Sequence, residues 1–509
     1  MKKKILSLVL MATMGLSLLA GCGSSTTTST DSSSTAESGD VDHIVVTWVY
    51  YTEAAPDLEA VTEAINEISI PEIGVEVEFM PISIGDTFTK YGTYIASGEQ
   101  IDLMNIMFQD PLQYYNNGSI EPLNDLLSQY GSTITTLAED YPITASVDGE
   151  VYGVAPLDPY YGSQGCIYVK EDYVDAITDL VSDDPDHVYS YDELTAIFAA
   201  IKEAYPDVYP LNLNGNEISS SSLLSSFVSG IEADKAGGDF GNGVFIGTDS
   251  ETVVDYFETE EYYNYLVQVK EWADAGYVMP DAAVTDSTST ELLNSGVAAT
   301  ALTNYNPIIL ADEQANMGEN CAILKTTEPY YTATAAASVC WTVPVTAANP
   351  EAAVKFLDLL YSNSEVTNLC MWGIEGTHYV TTDVEQVIAF PDGVTPENSG
   401  YYNTFGVWGD RRNCYVWSEV ATSEPNEVFT NEAYSNKTAA GEINYIYDST
   451  AMTNTIANID TVITQYAPAL ECGTVSDLDA TYNEFISALK AAGIDEVIAD
   501  NQAQYDAAK

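Results

Sequence analysis

Positive charge is what this chain of 509 residues most lacks: 15 Lys+Arg stand against 77 Asp+Glu, a formal charge of −62, and Arg411 and Arg412 are the only arginines. Such a field repels phosphate backbones and anionic headgroups, which excludes a nucleic-acid binder and a membrane-surface protein held by basic patches. The acids are dispersed, which describes a solvated acidic surface rather than an acidic tail. Histidine is also scarce. His43, His187 and His378 are isolated, so neither a His-based metal site nor His acid–base chemistry has support. No H-E-x-x-H, G-x-S-x-G, P-loop or D-x-D-x-D-G calcium loop occurs. The glycine-rich stretch 237–243 lacks the G-x-G-x-x-G spacing of a phosphate cradle. Among so many acids some carboxylate pair can always be chosen, so their abundance is no evidence for a glycosidase. No catalytic residue, metal or cofactor is therefore assigned. The seven cysteines show no C-x-x-C pattern. The six beyond Cys22 fix no pairing, and buried thiols are the expectation.

What is present is an apolar content of 46% with 36 tyrosines, enough to build two or three ordinary cores. Lys2, Lys3 and Lys4 precede an apolar run, 5–20, that is too short to span a bilayer comfortably. Leu19-Ala20-Gly21-Cys22 follows and reads as a lipobox, with residues 1–21 as a lipoprotein signal peptide and Cys22 as the lipidated residue. Cleavage there takes the formal charge from −62 to −65. Residues 22–41 form a Ser/Thr-rich tether.

Past the tether, 43–50 is a β-branched run that reads as a buried strand, 56–68 is an amphipathic helix and 75–80 is a second strand. A helix at 88–96 and a strand at 101–107 complete a strand–helix–strand–helix–strand order, which implies a parallel sheet. Ligands lie at the carboxyl ends of such strands. That places Trp48, Tyr50 and Tyr51 at one mouth with Gln109 and Asp110. Ser190-Tyr191-Asp192-Glu193 is a capping box for a helix that buries Leu194, Ile197, Phe198 and Ile201. Asn349 and Pro350 are suited to the N-cap and first position of a helix, and a second helical piece, 365–372, ends at Gly373. Trp272 reads as core.

Several runs, in this order, carry a resemblance. They are Val147-Asp148-Gly149-Glu150-Val151-Tyr152-Gly153-Val154, Glu271-Trp272 with Gly276-Tyr277-Val278, Leu292-Leu293-Asn294-Ser295-Gly296, Asn349-Pro350-Glu351-Ala352-Ala353, and Gly373-Ile374-Glu375-Gly376-Thr377-His378-Tyr379. Together they resemble the extracellular solute-binding lipoproteins of carbohydrate-type ABC importers, in their Gram-positive branch. The resemblance implies an α/β, two-lobed periplasmic-binding-protein-like fold (type II) with discontinuous lobes joined by a hinge. Its N-terminal lobe would be 42–155 plus 329–372 and its C-terminal lobe 156–328 plus 373–509, with chain crossings near 155, near 323–330 and near 372–375. It further implies capture of a small-molecule solute, an oligosaccharide, by lobe closure and delivery to ABC permease subunits. The protein would be a monomer on the cell surface, lipid-anchored to the outer face of the cytoplasmic membrane and touching the membrane only through that anchor. Aromatic planes and polar groups suited to sugar are Trp48, Tyr50, Tyr51, Asp110, Tyr160, Tyr161, Tyr305, Glu375, Trp408 and Arg411. Tyr305 is carried over from the resemblance, as the aromatic after a strand that stacks on sugar. Arg411 and Arg412 read equally as partners in local salt bridges. An extracellular carbohydrate-active enzyme and a peptide-binding or adhesion lipoprotein remain as alternatives.

Overall fold

β1 (Asp42–Tyr50) forms where the β-branched run predicts it, and burial is nearly continuous from Val46 to Val49, as for a strand covered on both faces. In this computed structural model the described residues are 41–509, except 52, 110, 148, 159–161, 218–232, 236–242, 247–249, 306–316, 319, 333–338, 397, 403–404, 406, 418–425 and 444. The lipobox with Cys22, the tether, the 237–242 part of the glycine-rich stretch, and Asp110, Tyr160 and Tyr161 therefore lie outside them.

α1 (Leu58–Ile73) buries Leu58, Val61, Ile65 and Ser69 at helical spacing and stops at Gly74, whose φ is 70°. β2 (Val75–Ser83) then pairs with β1 in parallel, from Asp42↔Val75 to Tyr50↔Ser83. After α2 (Ile84–Ser97), β3 (Met104–Met107) lies on the other side of β1 through the parallel bridge Val46↔Leu103. The sheet is nevertheless mixed. The strand Val339–Thr342 enters antiparallel to β3, with Cys340 opposite Ile106, and next to it lie β5 (Glu150–Val154) and its antiparallel partner β4 (Thr144–Val147).

Asp102 fastens these pieces. Its carboxylate is fully buried and accepts from the Val45 N–H and Gln100 Nε2 on one oxygen, both at 2.8 Å, and from the Ala348 and Asn349 N–H groups on the other, at 2.7 and 2.8 Å. The helix Pro350–Ser362 begins at Pro350 as predicted, but the Asn349 side chain does not cap it. It donates instead to the His43 carbonyl at 2.6 Å, so the turn before the helix is held by strand contacts.

A second core forms around the strand Gly165–Val169, flanked by the antiparallel strands Thr300–Asn304 and Ala322–Lys325. The Ser190 capping box is present, and the helix Tyr191–Ala204 buries the four predicted residues. Trp272 is core, its Nε1–H donating to Thr195 Oγ1 at 2.7 Å. The last helices, Thr453–Glu471, Leu478–Ala492 and Ile494–Ala508, close this core with Ile459, Phe485 and Val497. The six cysteines beyond Cys22 are thiols, and all but Cys321 are buried. Among the described residues no helix is long and apolar enough to cross a membrane.

Core membership past Trp372 departs from the expected boundaries. Tyr379, Ile388, Tyr401, Val407, Trp408 and Trp417 all pack in the first core, so the segment 379–417 sits there and not with the second lobe. The reason is aromatic. Trp372, at the end of the helix Ser364–Trp372, donates Nε1–H to the Tyr415 carbonyl at 2.9 Å and meets Trp417 edge-on at 5.5 Å. The third passage between cores accordingly runs through the helix Asn426–Ser435, not near 372–375. Tyr434 belongs to the first core and Ala440 to the second. It lies beside the other two passages: Tyr331 pairs with Gly162 and bridges to Lys437. Gly409 lets the chain turn here. Its φ is 53°, and a Cβ would run into the Leu360 carbonyl oxygen.

One buried acid in the second core is not neutralised. Asp255 caps a short turn by accepting from the Phe257 N–H at 3.0 Å, yet its Oδ2 meets no partner among the described residues. Burial pushes its carboxyl up to about 7, against the lowering effect of that N–H. The folded chain thus keeps a proton that the unfolded chain releases near 3.9. Stability falls as pH climbs between those values and is lowest above 7. Asp255→Asn is expected to flatten that slope and to add about 2 kcal/mol at pH 8 in urea unfolding.

Candidate functional site: an aromatic mouth on the first lobe

The carboxyl ends of β2, β1 and β3 open on one edge of the first sheet. Val46 bridges Leu103 in parallel, so Tyr51 and Phe108 follow these strands out on the same edge. Tyr51 is 57% exposed and Phe108 is 52% exposed. Phe108 holds φ at 53°, a left-handed conformation that a phenylalanine adopts only when its surroundings impose it, and such residues gather at functional sites. The next side chain, Gln109, donates Nε2–H to Thr87 Oγ1 at 3.3 Å and accepts from the Tyr114 hydroxyl at 2.9 Å, which ties the end of β3 to the start of α2. Phe88, beside Thr87, is 51% exposed. These three rings and Tyr402, from the 399–405 segment, are the exposed aromatic side chains among the described residues.

The mouth has a built floor. Tyr51 stacks on Phe405 at 3.9 Å with an interplanar angle of 18°. Partial burial against the protein raises the Tyr51 phenol above its ordinary value. Beneath lies Trp48, fully buried, with its ring 6.1 Å from Tyr50 and its Nε1–H donating to the Tyr401 hydroxyl at 3.2 Å. That hydroxyl donates on to the Cys370 carbonyl at 2.8 Å. The loop after β1 is clipped to the same segment, the Asp57 N–H donating to the Gly400 carbonyl at 2.9 Å.

Of the sequence-predicted residues, Tyr50 and Tyr51 stand at this mouth, Tyr50 half-buried. Trp48 supports it from within the core and has no open face. Trp408 is likewise core, 4.9 Å from Trp341 and edge-on to Phe79 at 5.6 Å. Arg411 is not directed to solvent: it forms a buried ion pair with Asp158, on the first passage between cores, so the salt-bridge reading holds. Arg412 likewise pairs with Asp410 at 2.7 Å and covers the Tyr141 ring at 4.6 Å. Tyr305 lies apart, in a small cluster with Cys166, Leu293 and Phe429, its ring covered by Lys325 at 4.8 Å. Glu375 is exposed and accepts from Thr381 Oγ1 at 3.2 Å. Phe405, Phe108, Phe88 and Tyr402 escaped the sequence reading. Phe108 alone had a signal, as the first residue past a predicted strand.

No group of three or more metal-ligating side chains exists among the described residues. A cavity of about 470 Å³ in the second core, between Asn216, Val284 and the Ile463–Glu471 stretch, is separate from the mouth. The site offers apolar planes with polar groups at their edges, suited to a guest with one C–H face and a hydroxyl rim.

Comparisons with known proteins agree with this architecture. A carbohydrate ABC transporter substrate-binding protein of Streptococcus pneumoniae is 24% identical over 504 residues, covering 96% of this chain and 94% of that protein. The crystal structure of the N-glycan transport solute binding protein NgtS from S. pneumoniae superposes with a TM-score of 0.74 at 20% identity, covering 92% of this chain and 99% of that one. Its complex with Man5GlcNAc gives 0.59 at 20% identity, covering 92% and 98%. An extracellular solute-binding protein from Bifidobacterium longum subsp. infantis gives 0.66 at 14% identity, covering 92% and 98%. The fold is the two-lobed type II arrangement. Residues 443–509 match a domain of unknown function, DUF3502. Residues 61–391 match the bacterial extracellular solute-binding proteins, and this chain belongs to that family.

Proposed function

We propose that this chain is the capture subunit of an ABC importer for oligosaccharides. It takes the glycan at the aromatic mouth, closes its lobes over it and hands it unreacted to membrane permease subunits. The observation that carries the reading is the gathering of exposed rings at one edge: Tyr51 and Phe108, just past the carboxyl ends of β1 and β3, and Phe88, in the first turns of α2, which Gln109 ties to the end of β3. Aromatic planes so placed fit the C–H faces of successive sugar rings. The relatives add the substrate class, since one is named for carbohydrate transport and NgtS was crystallised with Man5GlcNAc. The anchor reading belongs here too: Cys22 carries the lipid, and residues 23–41 tether a monomer to the outer face of the cytoplasmic membrane.

The test is a fluorescence and calorimetric titration with high-mannose fragments and a wider glycan panel, followed by analysis of the recovered sugar. Saturable binding with the glycan intact is expected. Release of shortened sugars would make the protein an enzyme, and a peptide response without any glycan response would make it a peptide-binding lipoprotein.

A further inference from the structure

The Gly373–Tyr379 run is the sharpest motif of the sequence, and the mouth leaves it without a role. It folds back on itself. The Ile374 N–H donates to His378 Nδ1 at 2.8 Å, so the ring proton sits on the other nitrogen. That nitrogen, Nε2, donates across the fold to Asp57 Oδ2 at 3.1 Å. His378 is 2% exposed and Asp57 46%. The turn is shaped around the imidazole: Gly373 has φ of 77°, and a Cβ there would press on Nδ1. Asp57 stands at the N-terminus of α1 yet makes no capping bond with its side chain, which is spent on His378. Gly400 is equally constrained, because a Cβ would collide with the Asp57 carboxylate. Asp57 ends the short loop that begins at Tyr51.

We propose that this motif is a latch: His378 and Asp57 are positioning residues that hold the Asp57 end of the chain after β1 against Gly400 and Tyr401 and so keep the Tyr51–Phe405 stack assembled before a ligand arrives. Neither touches the guest. Both act by sparing it the cost of ordering the loop. The effect on affinity rests on the glycan reading above; the effect on the loop does not.

Two amides separate the two bonds of the imidazole. In His378→Asn the side-chain oxygen replaces Nδ1 and keeps the Ile374 bond, while the reach to Asp57 is lost. In His378→Gln the amide nitrogen reaches the Nε2 position and restores the bond to Asp57. Without ligand, amide exchange across 51–57 should rise about tenfold in His378→Asn and stay near wild type in His378→Gln. Affinity for Man5GlcNAc should fall about tenfold in the first variant and within about threefold in the second. Asp57→Ala should match His378→Asn, and the pair combined should be no worse than either alone. The latch is overturned if His378→Asn exchanges like wild type, or if both amides raise exchange equally through the whole first core. Unlatching seen by exchange in a protein that binds no glycan would leave the latch standing and remove the carbohydrate reading.

Discussion

Asp102→Leu is expected to cost at least about 4 kcal/mol, measured as the loss of unfolding free energy in urea. The leucine fills the space but leaves four N–H donors without their acceptor: Val45, Gln100, Ala348 and Asn349. A buried donor stripped of its partner costs about 1–3 kcal/mol, and these four act together. Asp102→Asn keeps one carbonyl oxygen and turns the other acceptor into a donor, so about half the loss is expected. The same carboxylate joins β1 to the turn before the helix Pro350–Ser362 and sits two residues before β3. Its loss therefore also loosens the placing of β1 beside β3, the strands that lead to Tyr51 and Phe108. Glycan binding should weaken in Asp102→Asn even where the fold survives.

Tyr51→Ala should weaken glycan binding about ten- to thirtyfold by titration calorimetry, and Tyr51→Ala with Phe108→Ala about a hundredfold or more. The first change removes a half-exposed plane and uncovers Phe405. The second also removes the exposed ring past the end of β3. It also relieves little strain, because alanine is no more at ease than phenylalanine at a φ of 53°. Melting temperature should change little in either variant, since both rings are about half exposed. Tyr51→Phe keeps the plane and should stay within about threefold. An unchanged affinity in Tyr51→Ala would move the ligand away from this mouth.

The fold was legible where local chemistry decides it. The Ser190 capping box, the apolar face of the helix it starts, the β4–β5 hairpin and the stop at Gly373 are fixed within a few residues of chain. The parallel placing of β2 and β3 on either side of β1 followed from alternation of strand and helix. That the antiparallel strand Val339–Thr342 is β3's neighbour was not legible, because pairing across such a separation leaves no local trace. The third passage was misplaced for a similar reason. A glycine-rich turn after Trp372 looks like an exit from the lobe, and only the packing of Trp417 against Trp372 and Phe390 brings the chain back. At the site, residue type revealed aromatic character but not burial. Trp48 and Trp408 have the chemistry of sugar platforms and serve as core. Arg411 met a buried acid 253 residues away, a pairing no spacing announces. Phe108 was missed because an apolar ring at a strand end reads as core, and packing alone settles its exposure.

The strand Val339–Thr342 has a bearing on how the molecule comes into being. It fills the middle of the first sheet, yet Trp341 is paired with Asn105, 236 positions earlier. As the chain folds, β3 must wait with a bare edge until the strands that precede residue 339 have been supplied. Long-range pairing of this kind is slow, so the first sheet closes late in folding. No amino-terminal fragment that stops short of residue 339 contains a finished first lobe.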